Sequence, residues 1–375
     1  MDPQAPPPAP DARERLARLR LARTRRLGPM AFHMLLARFG SAEAALAALP
    51  DLARRGGGKP VEPPAIAAIE REIAAARRLG ARLLVWGDAA YPPLLARIAD
   101  APAALACIGD SDRAAAPCVA IVGARNASAN GQRFAATLAA DLAQAGVVVV
   151  SGLARGIDTA AHGGAGPAAT IAVVAGGLDL PYPPENAALQ AAIGRAGGAV
   201  FAEMPPGTPP QAHLFPRRNR IVAGLCSAVV VVEATLRSGS LITARLALDQ
   251  GREVLAVPGF PLDPRAAGPN ALLRDGAAPA TCAADILACL PAADAPARAG
   301  RIQAPPPVDP EKPDIHQVDD VRQRILAALG SAPTAVDELL RRCDVSAPSG
   351  QLAMLELELA GRLQRHPGNL VSLIV

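Results

Sequence analysis

The chain of 375 residues predicts an α/β fold in three parts: a helical N-terminal domain, a doubly wound Rossmann-like parallel sheet and a C-terminal winged helix. Three observations predict it. Apolar residues recur at three-to-four spacing before residue 80. From residue 82 short β-branched runs alternate with helix-like stretches. After residue 319 three helical patterns are followed by a hairpin signal. Hydrophobic residues make up 51% of the chain and charged residues 19%, which excludes a wholly disordered protein and supplies material for a buried core.

Residues 1–10 contain five prolines and no hydrophobic period, and read as a disordered tail. Residues 11–80 form the helical domain: Leu16, Leu19, Leu27, Phe32, Leu35, Leu36 and Phe39 keep helical spacing, and a second block runs from Pro64 to Leu79. Gly56 to Gly58 read as a connector within it. The stretch 11–26 carries seven arginines against Asp11 and Glu14, the pattern of a solvated helix face or of a phosphate contact.

Residues 81–290 hold the sheet. The runs RLLVW at 82–86, VAIVG at 119–123, VVVVSG at 147–152, TIAVVAGG at 170–177, AVFAE at 199–203, AVVVVE at 228–233 and EVLAVPG at 253–259 are continuous rather than alternating, as in strands covered on both faces. Helical stretches at 131–145, 184–196, 217–226 and 240–250 lie between them. Ligands of such sheets bind beyond the carboxyl ends of the strands, so function is sought in the loops after each run. Residues 291–319, with their APPP run, have linker composition, and 320–375 form the winged helix with a hairpin turning at Pro367 to Asn369.

Composition narrows the function classes. Aromatic residues are only 2% of the chain, so a stacking platform of many rings is excluded and phosphate contacts must dominate any nucleic-acid site. Of 38 basic residues only Lys59 and Lys312 are lysines, which reads as a GC-rich coding bias. The formal net charge of +4 permits an anionic partner without requiring one. The six cysteines lack metal-ribbon or redox-pair spacing and are expected as reduced, buried thiols, with no metal and no cofactor. No stretch approaches the roughly 20 apolar residues of a membrane helix, and no secretory leader is evident, so a cytoplasmic protein is expected.

Five loops carry the chemistry. In VAIVGARNAS a strand ends at Gly123 and delivers Arg125 and Ser128 to a helix start, whose amides are expected to face an anion; the dinucleotide fingerprint G-x-G-x-x-G fails there. Arg125 taken alone fits either a ligand contact or a surface ion pair. SGLARGIDTAAHGGA lacks the Gly-Lys-Ser/Thr ending of a nucleotide-triphosphate loop, and His162, with no matched nucleophile, reads as a packing histidine. In GGLDLPYPPEN, Tyr182 is one of few rings able to stack, on a turn that prolines fix. FPRRNR is the densest: Arg217, Arg218 and Arg220 with Asn219 open a helix against its macrodipole, with no acidic run nearby, which points to an anionic ligand as the compensating charge. In RSGSLITA, Ser238, Gly239 and Ser240 cap a helix, and an anion nest and a plain cap look alike.

In this order, VAIVGAR, SGLARGIDTAAH, TIAVVAGGLDLPYP, FAEMPPG, FPRRNRIVAGL, VVVEATLRSGSLITA, GREVLAVPG and GPNALLRDGA resemble the DNA-processing protein A family, also called Smf, over most of residues 11–290. The resemblance implies a sterile-alpha-motif-like N-terminal domain, an extended Rossmann core and often a winged helix. It implies a non-enzymatic, sequence-independent binder that protects single-stranded DNA and loads the RecA recombinase in transformation or recombination, and a homodimer formed through the core. Carried over, the DNA site is Gly123, Arg125, Phe215, Arg217, Arg218, Asn219 and Arg220, with Gly152, Arg155, Ser238 and Gly239 at its rim; Ala124 stands where many members have Ser. The alternative is a nucleoside-monophosphate phosphoribohydrolase, whose PGG-x-GT-x-x-E loop is absent because RSGSLITA occupies the corresponding strand end. The winged helix is expected to make protein contacts rather than read duplex DNA, because its third helix carries Glu356 and Glu358 and no basic residue.

Overall fold

The computed structural model describes residues 10–290, 315–366 and 368–374. Residues 1–9 of the tail expected at 1–10, and most of the expected linker, lie outside the described residues. The described chain forms two compact units: residues 70–290 make one, and residues 10–69 together with 315–374 make the other.

Three helices open the chain: α1 (Ala12–Ala22), α2 (Pro29–Phe39) and α3 (Ala42–Arg55), with Asp11 accepting from the Glu14 amide and Ser41 from the Ala44 amide as N-caps. Helix α4 (Ile66–Arg78) leads into the sheet unit, where β1 (Arg82–Val85), β2 (Ala104–Gly109) and β3 (Cys118–Val122) precede α5 (Ala129–Gln144). There follow β4 (Val148–Ser151), α6 (Ile157–Ala165), β5 (Thr170–Val174), α7 (Ala187–Arg195), β6 (Ala199–Ala202), α8 (Leu214–Gly224) and β7 (Ala228–Val231). The unit closes with α9 (Gly239–Asp249), β8 (Glu253–Ala256), α10 (Ala267–Arg274), β9 (Ala278–Pro279) and α11 (Ala283–Cys289).

The nine strands lie in the order β1-β2-β6-β5-β4-β3-β7-β8-β9. From β6 to β9 every neighbouring pair is parallel. The sheet is nevertheless mixed, because β1 pairs with β2 and β2 with β6 in antiparallel fashion. Strand β2, ALACIG, has no counterpart among the expected runs; its alanines give little β signal, and it is a strand because its neighbours cover it.

The continuous apolar runs are explained by two cores. Ala120 and Val122 of β3 join Val229 and Val231 of β7 and Ile221, Val222 and Ala223 of α8 on one face. Val119 and Ile121 of the same strand join Leu138 and Leu142 of α5 and Val230 on the other. Successive side chains point to opposite faces, and with both faces covered every position of the strand is apolar.

Strands β4, β5 and β6 lie to one side of β3, and β7, β8 and β9 lie to the other. The direction of winding reverses between β3 and β7, and at such a point the loops leaving adjacent strands diverge and open a crevice.

The second unit carries α12 (Ile315–Ala328), β10 (Thr334–Ala335), α13 (Val336–Arg342), α14 (Ala347–Leu359), β11 (Leu363–His366) and β12 (Leu370–Leu373). Helix α12 begins inside the stretch expected as linker. The sheet order β10-β12-β11 with three helices is that of a winged helix. Its hairpin turns through Gly368 and Asn369, both at positive φ. Glu356 and Glu358 are buried rather than presented to solvent, and they pair with Arg322 and Arg365.

Gly164 marks where α6 crosses α5: a Cβ there would lie 2.0 Å from the Ala136 carbonyl oxygen. Gly164→Ala should therefore destabilise the protein by about 1–3 kcal/mol through overpacking, although Gly→Ala inside a helix ordinarily stabilises by roughly 0.5–1 kcal/mol. Urea unfolding measures the sign.

Candidate nucleic-acid interface

The crevice beyond β3 and β7 is a cleft of about 640 Å³. Gly123, Ala124, Arg125 and Asn126 line it from the loop after β3, Ala154 and Asp158 from the segment after β4, and Phe215, Arg218 and Asn219 from α8. Thr235, Ser238, Gly239 and Ser240 enter from the loop after β7, and Asp263 to Arg265 from the loop after β8.

The first loop is pinned by two contacts. The Glu233 carboxylate, just past the end of β7, accepts from the Ser128 amide at 2.8 Å and from its hydroxyl at 2.6 Å. The Ser128 hydroxyl in turn accepts from the Gly131 amide at 2.9 Å, which makes it the N-cap of α5. The anion expected at this helix start is thus supplied by the fold: the Glu233 carboxylate takes the Ser128 amide and complements the dipole of α5. On the other side, Gly156 at φ +77 brings its loop against the strand end, where a Cβ would lie 2.3 Å from the Ala124 carbonyl oxygen.

With its backbone held this way, Arg125 is exposed at the rim. Its guanidinium carbon sits 5.0 Å from the Phe215 ring centroid, and Tyr182 meets the same ring edge-on at 5.6 Å. Among the described residues Arg125 makes no ion pair with a carboxylate. Gly152, Arg155 and Tyr182 share a smaller hollow with Arg125 and Phe215, beside the main cleft. Arg155 there is paired with Glu185 at 2.6 Å on an exposed surface.

Arg218 is buried with its guanidinium laid on Gly152, whose hypothetical Cβ would fall 1.3 Å from Nη1. Burial lowers its pKa, and the neighbouring Asp158 carboxylate acts in the opposite sense. Asp158 accepts from the Gly152 and Ala154 amides at 3.1 and 3.3 Å, and burial raises its pKa while Arg218 lowers it. Nε of Arg218 has no hydrogen-bond partner among the described residues. That atom is closed off from solvent, but the guanidinium as a whole lies in the cleft wall, where its charge is suited to an anion.

Arg220 requires a correction. It is buried and donates to a Glu203 carboxylate oxygen and to the Asp100 carbonyl oxygen at 2.6 Å, with its Nε 3.6 Å from the Asp100 carboxylate. Its charge is compensated within the fold, so it holds α8 to the segment before β2 and to the end of β6 and does not reach the cleft. Arg217, partly exposed and 4.0 Å from Glu203, also lies outside the cleft lining. Asn219 lines the cleft and donates to the Gly239 carbonyl oxygen at 3.3 Å. Ser238 caps α9, with its hydroxyl 2.7 Å from that of Ser240, and a Cβ at Gly239 would meet open space.

Arg265 was missed by sequence reasoning. It sits in the cleft wall, held bidentately by Asp263 at 3.0 and 3.1 Å. It follows the β8 run, so the rule of searching each post-strand loop points to it. His162 is a packing residue: its Nδ1 lies 2.7 Å from the Thr170 hydroxyl, and burial followed by the field of Arg218 depresses its pKa to about 3. Cys107, Cys118, Cys226 and Cys343 are buried free thiols, whereas Cys282 is exposed. Among the described residues no cluster of His, Cys, Asp and Glu is arranged to hold a metal, and no helix is long and apolar enough to cross a membrane.

Fold and cleft together define a Rossmann-type protein with an arginine-bearing cleft at the switch point and a winged helix in a separate unit. Three family models match it: DNA recombination-mediator protein A over residues 82–291, the DprA-like N-terminal HHH domain over 12–75, and the DprA winged helix domain over 304–369. Protein Smf of Escherichia coli is 40% identical over 287 residues, spanning 76% of this chain and 75% of that protein. DNA processing protein DprA of Streptococcus pneumoniae is 45% identical over 203 residues, spanning 54% of this chain and 71% of that one. The crystal structure of the Streptococcus pneumoniae protein superposes with a TM-score of 0.60 at 35% identity, covering 73% of this chain and 96% of that chain. A structure of DNA processing protein A from Helicobacter pylori, described as giving insight into its single-stranded DNA binding mode, superposes at 0.51 with 31% identity over 56% of this chain and 94% of that chain. The chain belongs to the DprA/Smf family of DNA recombination mediators.

Two outcomes follow from these environments. Arg220→Met leaves the buried Glu203 with only the longer Arg217 contact among the described residues and should cost about 3–5 kcal/mol in urea unfolding. His162 stays neutral in the fold with a depressed pKa, so as pH falls below about 6.5 the unfolded chain binds a proton that the folded chain does not, at a loss of about 1.4 kcal/mol per pH unit. His162→Gln should flatten that slope between pH 6.5 and 5.5, as measured by stability curves at each pH.

Proposed function

We propose that this protein binds single-stranded DNA without sequence preference in the cleft between β3 and β7, protects it, and hands it to a RecA-type recombinase, without performing catalysis. One observation carries the reading: Arg125, free of a carboxylate partner among the described residues, rests on the Phe215 ring at the mouth of a cleft whose wall holds the buried Arg218. A cation serves the phosphate common to all nucleotides, and a ring serves the face common to all bases. Family membership supports the reading, as does the single-stranded DNA binding mode reported for the Helicobacter pylori protein.

Within this reading Gly123, Arg125, Phe215, Arg218, Asn219, Ser238 and Gly239 form the DNA surface, Arg155 extends it through the adjoining hollow, and Arg265 joins the wall. Arg217 is exposed enough to meet a strand leaving the cleft. Assembly as a homodimer through the sheet unit, contact with the recombinase and action in the cytoplasm complete the proposal.

Fluorescence anisotropy of a labelled oligo-dT tests it. Salt-sensitive binding that is displaced by unlabelled single strand and not by duplex is expected. Arg125→Ala should weaken it at least tenfold and flatten the dependence of log affinity on log salt by about 0.7. Phe215→Ala should remove about 1–3 kcal/mol of stacking and leave the salt slope unchanged. Absence of binding at low salt would overturn the proposal, and release of base from nucleoside monophosphates would replace it with the phosphoribohydrolase.

A further inference from the structure

In a winged helix that reads duplex DNA, the third helix enters the major groove and must keep one face open. Here that helix is α14, and Leu352 to Leu359 are buried without interruption around its circumference. One side packs on α12 of the winged helix, and the other packs on α3 of the N-terminal domain.

The contact with the N-terminal domain is built for close approach. Gly56, which ends α3, has room for no side chain: a Cβ would lie 2.0 Å from the Glu356 carbonyl oxygen. At Gly58 it would lie 2.5 Å from the Ala360 Cα. The glycine run expected as a connector is therefore the seat of α14. Arg26, held at φ +64, places its guanidinium at the carboxyl end of that helix, where Nη1 is 3.5 and 3.4 Å from the Leu359 and Ala360 carbonyl oxygens. A cation there completes unsatisfied carbonyls and complements the helix dipole. The buried Glu358 takes a hydrogen bond from the Gly28 backbone, and Arg365, its partner at 3.0 Å, reaches the Met34 sulfur at 3.9 Å.

We propose that the winged helix is a protein-binding module whose partner is the chain's own N-terminal helical domain, and that this pairing occupies the face of α14 that a duplex would otherwise use. The stretch Leu352 to Leu359 of α14 then has no open groove-reading face, and the two halves fold as one body. The inference does not depend on what the cleft binds.

Hydrogen–deuterium exchange on the full-length protein tests it. Gly58→Leu lies beyond the end of α3 and cannot unwind that helix. It should speed exchange of the α14 amides, and with them those of α3, at least tenfold, while residues 118–256 exchange as in the wild type. Arg26→Ala should speed exchange at residues 359–362 severalfold and leave α13 unchanged. Unaltered protection of α14 in both variants would overturn the proposal. So would slower exchange of residues 346–359 in the wild-type protein on adding a 20-base-pair duplex at low salt, because that would show the face open to DNA.

Discussion

Glu233 holds the cleft together. It stands at the end of β7 and satisfies the start of α5, which follows β3, so it spans the line along which the winding of the sheet reverses. Without it the two halves of the sheet would still pack through their strands, but the loop bearing Arg125 would lose the anchor that sets its direction. A carboxylate at this helix start also divides the labour among the cations. The dipole of α5 is already answered, so attraction for an anion falls to guanidiniums on other elements.

Those guanidiniums are held in place in two ways, Arg218 by burial and Arg265 by an ion pair. Arg218 is fixed against Gly152 and beside Asp158 before any ligand arrives, and Arg265 is clamped by Asp263. Side chains held in this way have little rotamer freedom left to lose on binding. Arg125 differs: it is exposed, it makes no ion pair with a carboxylate among the described residues, and it rests on the Phe215 ring. The cleft thus combines fixed charge in its wall with an adjustable charge at its mouth.

Much of this was legible in the sequence, for reasons that can be named. Strands β3, β4, β5, β7 and β8 were visible because burial on both faces makes them uninterrupted runs of Val, Ile and Ala. Strand β2 was not, because alanine has weak strand preference and only tertiary pairing makes it one. In FPRRNR the sequence marked a cluster of charge but not its directions. Arg218 and Arg220 are two positions apart on α8, about 200° around the helix axis, so they cannot share a face; one turns to the cleft and the other to Glu203 and Asp100. Those two acids are distant in sequence from the arginine they neutralise, and no local pattern announces them. The same limit hid the seat of α14, since Gly56 and Glu356 meet across an entire intervening domain.

That separation bears on how the protein is made. Helix α3 leaves the ribosome early, and the helix that covers it is synthesised nearly 300 residues later, a delay of roughly 15–60 s at ordinary elongation rates. Through that interval the first helical segment is translated but lacks the neighbour that buries its glycine-rich end, while the sheet unit is complete and free to fold. Closure of α14 onto α3 is then a late, long-range contact, whose loop entropy is set against contacts that form after the sheet unit is synthesised. A nascent chain stalled before residue 347 would carry a finished nine-stranded sheet and a first domain whose glycine-rich end is still uncovered, a surface for a chaperone to hold until α14 arrives.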